Sequence, residues 1–246
     1  MIPLIKDNYV NSNGEYFCNV REIAYKKGEL IGNLGVLVAE TGYEKEDFIG
    51  NYGMSLEGSY IYQTYNNPTI AYKIYKEFAD YGFNGYKDDI LIQKLQSVKS
   101  NIDLTKFPTG VVTLDGRIIG QEIPYYDNAI TLLDYVKKAS VDNRINVYIK
   151  ILKILQELFK NGILYLDIHP KNFMVNADND NINLIDFDSD FICFDTDDKH
   201  MMDNLFKNFM MMIEYLEDDL KMNFNLDYIE TFDDGIEKIM KLKKNS

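Results

Sequence analysis

The hydrophobic pattern of this chain changes period near its midpoint, and this change restricts the possible folds more than any single motif does. In the first half, SYIYQTYNNPTIAYKIYKEF (residues 59–78) holds two β-prone runs on either side of Asn-Asn-Pro, which predicts a hairpin. A second hairpin is predicted for GVVTLDGRIIGQEI (residues 110–123), with its turn at Asp-Gly. The first half is therefore expected to be rich in β-strands.

Helical spacing of apolar residues dominates the second half. NRINVYIKILKILQELFKNG (residues 143–162) has a continuous apolar face, and its final Asn-Gly predicts where the helix ends. DNLFKNFMMMIEYLEDDL (residues 203–220) predicts another helix, whose methionines we interpret as core side chains. A shorter helix is predicted for YKDDILIQKLQSV (residues 86–98), inside the β-rich half.

Together these segments predict an α+β fold with two lobes. Residues 1–124 would form a β-rich N-lobe, and residues 125–246 would form a mostly helical C-lobe. The two lobes would be joined near residues 122–127.

Composition and charge exclude several classes of protein. A chain of 246 residues with 46% hydrophobic side chains is long and apolar enough for a substantial core. Its 26 basic and 39 acidic residues give a net charge of −13, which argues against nucleic-acid and membrane partners. We expect no signal peptide, no membrane span and two free thiols, Cys18 and Cys193, and therefore a cytoplasmic protein.

Carboxylate and amide side chains are concentrated in YLDIHPKNFMVNADNDNINLIDFDSDFI (residues 165–192). After the helix, ILYLDIHPKN (residues 163–172) is predicted to be a loop, and it leads into two short predicted strands, FMV and INLIDF, around the turn NADNDN. The hairpin would bring Asn172 at its entry close to Asp186 at its exit, with Asp167 just upstream. Oxygen ligands of this kind suit Mg²⁺, which is bound by a few side chains together with substrate phosphates. Asp167 would then orient or deprotonate a hydroxyl group.

These acids allow two other interpretations. DNDNIN begins like a calcium-binding EF-hand loop, but Ile182 falls on a ligand position and Asn183 stands where glycine is required. The turn itself is therefore interpreted as a solvated surface loop. Acidic surface loops are common, so on these residues alone a solvated loop and a metal site are about equally favoured.

DIHPKN followed by LIDFD resembles the catalytic loop and the metal-binding motif of the protein-kinase-like superfamily. The resemblance covers residues 48–216 with its elements in order, and some features are shared with aminoglycoside-phosphotransferase-like kinases. It implies a bilobal kinase-like fold with a shortened C-lobe, an ATP cleft between the lobes, and ATP and Mg²⁺ as cofactors. By this resemblance, Asp167 is the catalytic residue that receives the hydroxyl proton, and Asn172 and Asp186 bind Mg²⁺.

The resemblance also assigns roles in the N-lobe. Lys73 in AYKIY is similar to the strand lysine that binds the α- and β-phosphates of ATP, and Asp88, or else Asp89, is similar to its acidic partner. The segment QEIPYY looks like the hinge, so Glu122 and Ile123 would meet adenine through backbone groups, with Gln121 as gatekeeper.

The glycine-rich loop of kinases has its counterpart in GNYGMSLEGSY (residues 50–60). Gly50, Gly53 and Gly58 would let backbone N–H groups approach phosphate closely. Their spacing departs from the G-x-G-x-x-G pattern of kinases.

Further departures concern the catalytic loop and the metal-binding motif. Tyr165 and Leu166 replace the His-Arg that usually precedes the catalytic aspartate, and Asp188 replaces the glycine of Asp-Phe-Gly. His169 stands where protein kinases usually have lysine; it would contact the transferred phosphate or hydrogen-bond within the loop. By the same resemblance, Asp203 would anchor the catalytic loop.

The acceptor of the phosphate is left open by the sequence. The order of motifs permits a serine or threonine of a protein, which we expect first, whereas the short C-lobe, His169 and the acidic charge favour a small, cationic molecule such as an aminoglycoside or a sugar derivative. A third alternative is a pseudokinase that acts as a partner-binding module.

Overall fold

The computed structural model describes most of the second half of the chain and parts of the first. The described residues are 4–6, 9–10, 16–17, 20–22, 35–41, 59–64, 67–75, 86–99, 102, 104–114, 117–176, 178–187, 192–196, 198–218 and 228–242. The chain divides into two compact units, unit 1 (Met1–Ser97 and Phe107–Tyr125) and unit 2 (Val98–Lys106 and Tyr126–Ser246). Strands and helices occur in both, so the α+β class predicted from the sequence is confirmed.

The described strands of unit 1 are β1 (Leu4–Lys6), β2 (Tyr9–Val10), β3 (Tyr16–Phe17), β4 (Val20–Glu22), β5 (Gly35–Thr41), β6 (Ser59–Thr64), β7 (Ile70–Tyr75), β8 (Gly110–Leu114) and β9 (Arg117–Pro124). Seven of them form one sheet in the order β1-β4-β8-β9-β7-β6-β5. Neighbouring strands of this sheet are antiparallel except for β4 and β8, which are parallel. A small separate pair joins β2 to β3.

Both hairpins predicted for unit 1 are confirmed, since β6 pairs with β7 and β8 pairs with β9. The first closes because the Thr64 hydroxyl donates to the Asn67 carbonyl at 2.7 Å and the Ile70 N–H donates to the same carbonyl at 3.1 Å. The Asp-Gly turn of the second lies outside the described residues. The predicted helix is also confirmed as α1 (Tyr86–Val98), which buries Leu91 and Leu95.

Unit 2 combines four described helices with two small antiparallel sheets. The elements are β10 (Ala129–Thr131), α2 (Leu132–Val136), α3 (Val141–Lys160), β11 (Ile163–Tyr165), β12 (Phe173–Asn176), β13 (Asn181–Leu184), β14 (Ile192–Phe194), α4 (Lys199–Asp218) and α5 (Phe232–Leu242). The sheets have the orders β10-β12-β13 and β11-β14.

Helix α3 forms the core of unit 2 and begins and ends as its sequence dictates. The Ser140 side chain accepts a hydrogen bond from the Asn143 N–H and caps the first turn. Gly162, at φ +76°, ends the helix in the left-handed region, where glycine is least strained. Most of its predicted apolar face is buried, whereas Ile149 and Phe159 are partly exposed. Helix α3 starts at Val141, two residues before its predicted start, and α4 starts at Lys199, four residues before its predicted start.

A buried polar cluster joins α3 to the end of α4. The Tyr148 hydroxyl donates to Glu217 Oε1 at 2.5 Å, and Glu217 is only 1% exposed. Arg144 Nε lies 3.1 Å from the same oxygen, an ion-pair distance at which its N–H is not aligned for a hydrogen bond. Burial, and then the neighbouring Glu217 carboxylate, raise the pKa of Tyr148 far above its usual value, so the phenol stays a proton donor.

The segment predicted as a loop after α3 begins with a strand. Residues Ile163 to Tyr165 are buried and pair as β11 with β14. That pairing joins residues about thirty positions apart, which a local hydrophobic pattern does not reveal. None of the helices in the described part of the chain is long and apolar enough to cross a membrane.

Candidate functional site

The loop between β11 and β12 is fixed by its own hydrogen bonds. The Ile168 N–H donates to the Leu166 carbonyl at 2.9 Å, and a 3-10 turn then spans Pro170–Asn172. His169 caps this turn, since its Nδ1 accepts from the Lys171 N–H at 3.2 Å. This contact matches one of the two alternatives for His169, the hydrogen bond within the loop. The proline favours the turn because its fixed φ suits the first helical position.

The hairpin predicted to follow this loop is confirmed. β12 pairs with β13 from Phe173 opposite Leu184 to the two asparagines at its far end. One more hydrogen bond continues this pairing, from the Ile185 N–H to the Asn172 carbonyl at 2.8 Å. Asp186 therefore follows directly after the residue that bonds to Asn172, as the sequence predicted for the two ends of this hairpin.

The turn at the far end of the hairpin is fixed by hydrogen bonds from two helices. The Asp178 and Asn179 side chains are exposed, as expected for a solvated turn. The Tyr135 hydroxyl donates to Asp180 Oδ1 and the Lys150 ammonium donates to the Asp180 carbonyl, both at 2.6 Å. Burial and the Asp180 carboxylate raise the pKa of Tyr135 far above its usual value. These contacts fix the turn of the hairpin to α2 and α3, away from Asn172 and Asp186.

The Asn172 carboxamide is the centre of the site. Its Nδ2 donates to Asp167 Oδ2 at 2.6 Å, to the Asp167 carbonyl at 3.0 Å and to the Tyr165 hydroxyl at 3.1 Å. Asn172 is 8% exposed, so these bonds lie in a largely dry environment and are stronger than they would be in water. All three bonds use the nitrogen, which leaves Oδ1 as the atom with which Asn172 would bind a cation.

Asp186 follows Ile185 at the exit of the hairpin and has an unusual backbone conformation. Its φ is +61°, in the left-handed region that residues other than glycine adopt infrequently and at a cost of about 1–3 kcal/mol. The Tyr165 hydroxyl lies 3.2 Å from both the Ile185 and the Asp186 carbonyls. Phe187, the next residue, is buried and packs edge-on against the Tyr165 ring with centroids 5.8 Å apart. These contacts hold the backbone on both sides of Asp186.

The loop is attached to helix α4 by a residue that the sequence did not indicate. Asn208 Nδ2 donates to the Leu166 carbonyl at 3.2 Å. Asp203, predicted to anchor this loop, instead accepts from the Tyr228 hydroxyl at 2.9 Å. Asn208 lies five residues after Asp203, a little more than one helical turn, so the helix was identified correctly and the anchoring residue was not.

In unit 1, Lys73 lies on β7, opposite the buried Gln121 of β9. Its side chain is partly exposed, and Nζ lies 5.9 Å from the centroid of the Tyr75 ring. The neighbouring Gly120 has no room for a side chain, because a Cβ there would collide with the Lys73 carbonyl oxygen. Glycine at this position therefore lets β9 approach the lysine-bearing strand closely, which the sequence alone did not indicate.

The other predicted residues of unit 1 receive less support. Asp88 lies in α1, and nothing is described of its side chain. Glu122 is 3% exposed; its carbonyl accepts from the Thr109 N–H, and its carboxylate accepts from the Thr109 hydroxyl, both at 2.8 Å. Ile123 pairs with Ala71. Their contact with adenine stays a prediction, and this pairing inside the sheet counts against it.

The predicted glycine-rich loop, Gly50, Gly53 and Gly58, lies outside the described residues. So does Asp188, the residue that departs from the kinase motif.

The Asn172 side-chain oxygen and the Asp186 carboxylate would suit a metal ion that needs few protein ligands. Within the described ranges, no group of three or more His, Cys, Asp or Glu side chains is placed to hold a metal ion. Asn172 and Asp186 supply one amide oxygen and one carboxylate. That set fits Mg²⁺, which keeps water and phosphate oxygens for its other positions.

No protein-family model matches this sequence, and no curated protein matches it. The chemistry of the site therefore rests on its own groups. These are a carboxylate oriented by a buried amide, and the oxygen-bearing side chains of Asn172 and Asp186, which would suit a hard cation.

Proposed function

We propose that this protein is an ATP- and Mg²⁺-dependent phosphotransferase of the protein-kinase-like superfamily, which transfers the γ-phosphate to a hydroxyl group. The observation that carries the proposal is the 2.6 Å hydrogen bond from Asn172 Nδ2 to Asp167 Oδ2. It lies where the chain enters a hairpin, and the exit of the same hairpin leads directly to Asp186. A solvated acidic loop gives no reason to bury a carboxamide against a carboxylate, because buried polar groups are costly unless they are paired.

The metal-binding part of the proposal involves Asn172 and Asp186. The Asn172 Oδ1 and the Asp186 carboxylate would hold Mg²⁺, which neutralises charge on the ATP phosphates when it is bound. The left-handed backbone of Asp186, which Asn128, Asp180 and Asp195 also adopt, sets the direction in which its carboxylate would leave the hairpin toward the metal.

Asp167 is the proposed catalytic residue. The acceptor oxygen forms a bond to the γ-phosphorus while the bond from that phosphorus to the bridging oxygen of ADP breaks. ADP leaves with the bonding electrons, and the hydroxyl proton passes to the Asp167 carboxylate. The hydrogen bond from Asn172 holds that carboxylate in one orientation, so positioning supplies much of the rate.

Unit 1 supports the proposal through the order of its elements. Lys73 lies on β7, and helix α1 with Asp88 is the next described element of the chain. Protein kinases likewise have their phosphate-binding lysine on a strand and its acidic partner on the helix that follows. Lys73 would therefore bind the α- and β-phosphates of the nucleotide.

A serine or threonine of a protein is the acceptor to test first. The net charge of −13 favours a second candidate, a small cationic molecule such as an aminoglycoside, because an acidic protein attracts cations. Incubation with γ-labelled ATP separates the two. Label on the protein itself or on an added protein supports the first, and label only on an added aminoglycoside supports the second.

A thermal-shift experiment on the full chain tests nucleotide binding. A ligand that binds only the folded state stabilises it by about 2.7 kcal/mol at 100 times its Kd. We expect ATP with Mg²⁺ to raise the Tm and ATP with EDTA to raise it less. No shift in either condition would contradict the proposal and favour a partner-binding module. Equal shifts in both would contradict the role of the metal.

A further inference from the structure

Tyr165 is the residue of the site whose role neither the motif nor the proposed reaction explains. It occupies the position two residues before Asp167 and is 1% exposed. Its hydroxyl contacts both ends of the hairpin that holds the proposed metal ligands. We propose that the Tyr165 hydroxyl is a positioning group that orients Asn172 and Asp186 for a divalent cation; this inference rests on the proposed function.

The hydroxyl makes contacts in two directions. It accepts a hydrogen bond from Asn172 Nδ2 at 3.1 Å. Its single hydrogen is shared between the carbonyls of Ile185 and Asp186, both 3.2 Å away. One oxygen atom thus links the entry of the hairpin to its exit, beyond the last backbone hydrogen bond between the two strands.

The first contact decides which end of the Asn172 carboxamide faces a cation. An amide has a donor end and an acceptor end of nearly equal size, and only its oxygen can bind a metal. Tyr165 and Asp167 both accept from Nδ2, so the nitrogen is held on their side and Oδ1 on the other. Without the hydroxyl, one of the two side chains that fix this orientation is lost, and the amide turns more readily.

The second contact acts on the backbone of Asp186. Donation to the carbonyls of Ile185 and Asp186 holds the peptide groups on both sides of a residue at φ +61°. That conformation determines the direction in which the Asp186 side chain leaves the backbone. The same hydroxyl therefore positions both proposed ligands, although it is not itself a ligand.

The ring and the hydroxyl of Tyr165 can be tested separately. Phenylalanine keeps the edge-on packing against Phe187 and removes only the hydroxyl. Tyr148 provides a matched control in the same unit, because it is also fully buried and its hydroxyl also makes a side-chain hydrogen bond, to Glu217. Tyr148→Phe removes a buried hydroxyl outside the proposed site.

The experiment measures Mg²⁺ binding rather than turnover. Wild type, Tyr165→Phe and Tyr148→Phe are titrated with Mg²⁺ at a fixed ATP concentration, with the thermal shift as readout, and their Tm values in EDTA are recorded. We expect Tyr165→Phe to require roughly 3- to 10-fold more Mg²⁺ for half of the full shift, the effect of losing one net hydrogen bond. Tyr148→Phe should keep the wild-type midpoint even though its Tm in EDTA is lower.

The outcomes distinguish failure of this inference from failure of the proposed function. If wild type shows no Mg²⁺-dependent shift with ATP, the proposed function fails, and this inference fails with it. If wild type responds and Tyr165→Phe has the wild-type midpoint, only the positioning role is overturned. The positioning role is also overturned if both variants need equally more Mg²⁺ than wild type for half of the full shift. The effect would then come from a general loss of stability.

Discussion

Asn172 Nδ2 lies 2.6 Å from Asp167 Oδ2, although the two residues are five positions apart in the chain. The 3-10 turn at Pro170–Asn172 folds the loop back so that the amide reaches the carboxylate. The hydrogen bond from the buried amide therefore holds the Asp167 carboxylate in one orientation, which is the positioning that a general base requires.

Replacing this base should remove most of the activity. We expect Asp167→Ala to lower kcat by roughly 10²- to 10⁴-fold, the contribution typical of a general base, as measured by γ-phosphate transfer from ATP. Asp178→Ala is the control, because Asp178 is an exposed carboxylate in the turn of the same hairpin. Near wild-type turnover in Asp167→Ala would rule out the role given to this carboxylate.

Gly120 should be intolerant of even a methyl group. Gly120→Ala forces a Cβ into the Lys73 carbonyl, so β9 and β7 must separate at the lysine. We expect the free energy of unfolding to fall by about 1–3 kcal/mol, as for other overpacked sites, and the Kd for ATP to rise. Urea denaturation and nucleotide titration measure the two effects. A variant with wild-type stability and affinity would show that this close approach is not required.

The buried carboxylate of Glu217 should matter for stability rather than for activity. Glu217→Ala leaves Arg144 without its ion-pair partner and Tyr148 without its acceptor, inside the core of unit 2. Breaking a buried pair in this way typically costs about 3–5 kcal/mol. Glu214→Ala, an exposed glutamate on the same helix, should change stability by less than about 0.5 kcal/mol. Equal unfolding midpoints in denaturant for the two variants would contradict this account.

The stability of the first turn of helix α5 should depend on pH. The Glu230 N–H and the Lys238 ammonium donate to Asp234 Oδ2, and they hold the pKa of Asp234 below its usual value of 3.8. Because the folded pKa is the lower one, the stabilisation is fully present above pH 3.8 and is lost as the pH falls through the folded pKa. An NMR titration of the Asp234 carboxyl should give this lowered pKa, and Lys238→Met should raise it. A midpoint at or above 3.8 in wild type would contradict the assignment.

Local pattern was enough to predict the hairpin that carries the site and the two long helices of unit 2. Hairpins with turn residues between alternating runs, and helices with long apolar faces, are specified by neighbouring residues. The hairpin that brings Asn172 and the residue before Asp186 together was predicted in this way, and the structure confirms it. The kinase-like arrangement of two lobes, with its boundary at residues 124–125, stays a prediction.

The contacts that the sequence did not reveal join distant positions. β11 was missed because its partner, β14, lies about thirty residues away. Asn208 could not be distinguished from other polar residues of its helix without knowing which of them meets Leu166. Tyr165 did carry a signal, since it replaces the usual histidine of the motif. Its hydroxyl bonds became visible only when the exit of the hairpin was placed beside it.

The most direct test of the account is the Mg²⁺ dependence of ATP binding in wild type and in Asp186→Asn. Asparagine keeps the shape of the side chain and tolerates the left-handed backbone at φ +61°, so the substitution removes mainly the charge. Calorimetric titration of ATP into the full chain should show tighter binding with Mg²⁺ than with EDTA in wild type. In Asp186→Asn this gain should be largely lost, with the Tm in EDTA unchanged. Binding that Mg²⁺ strengthens equally in both proteins, or an absence of ATP binding in wild type, would contradict the account.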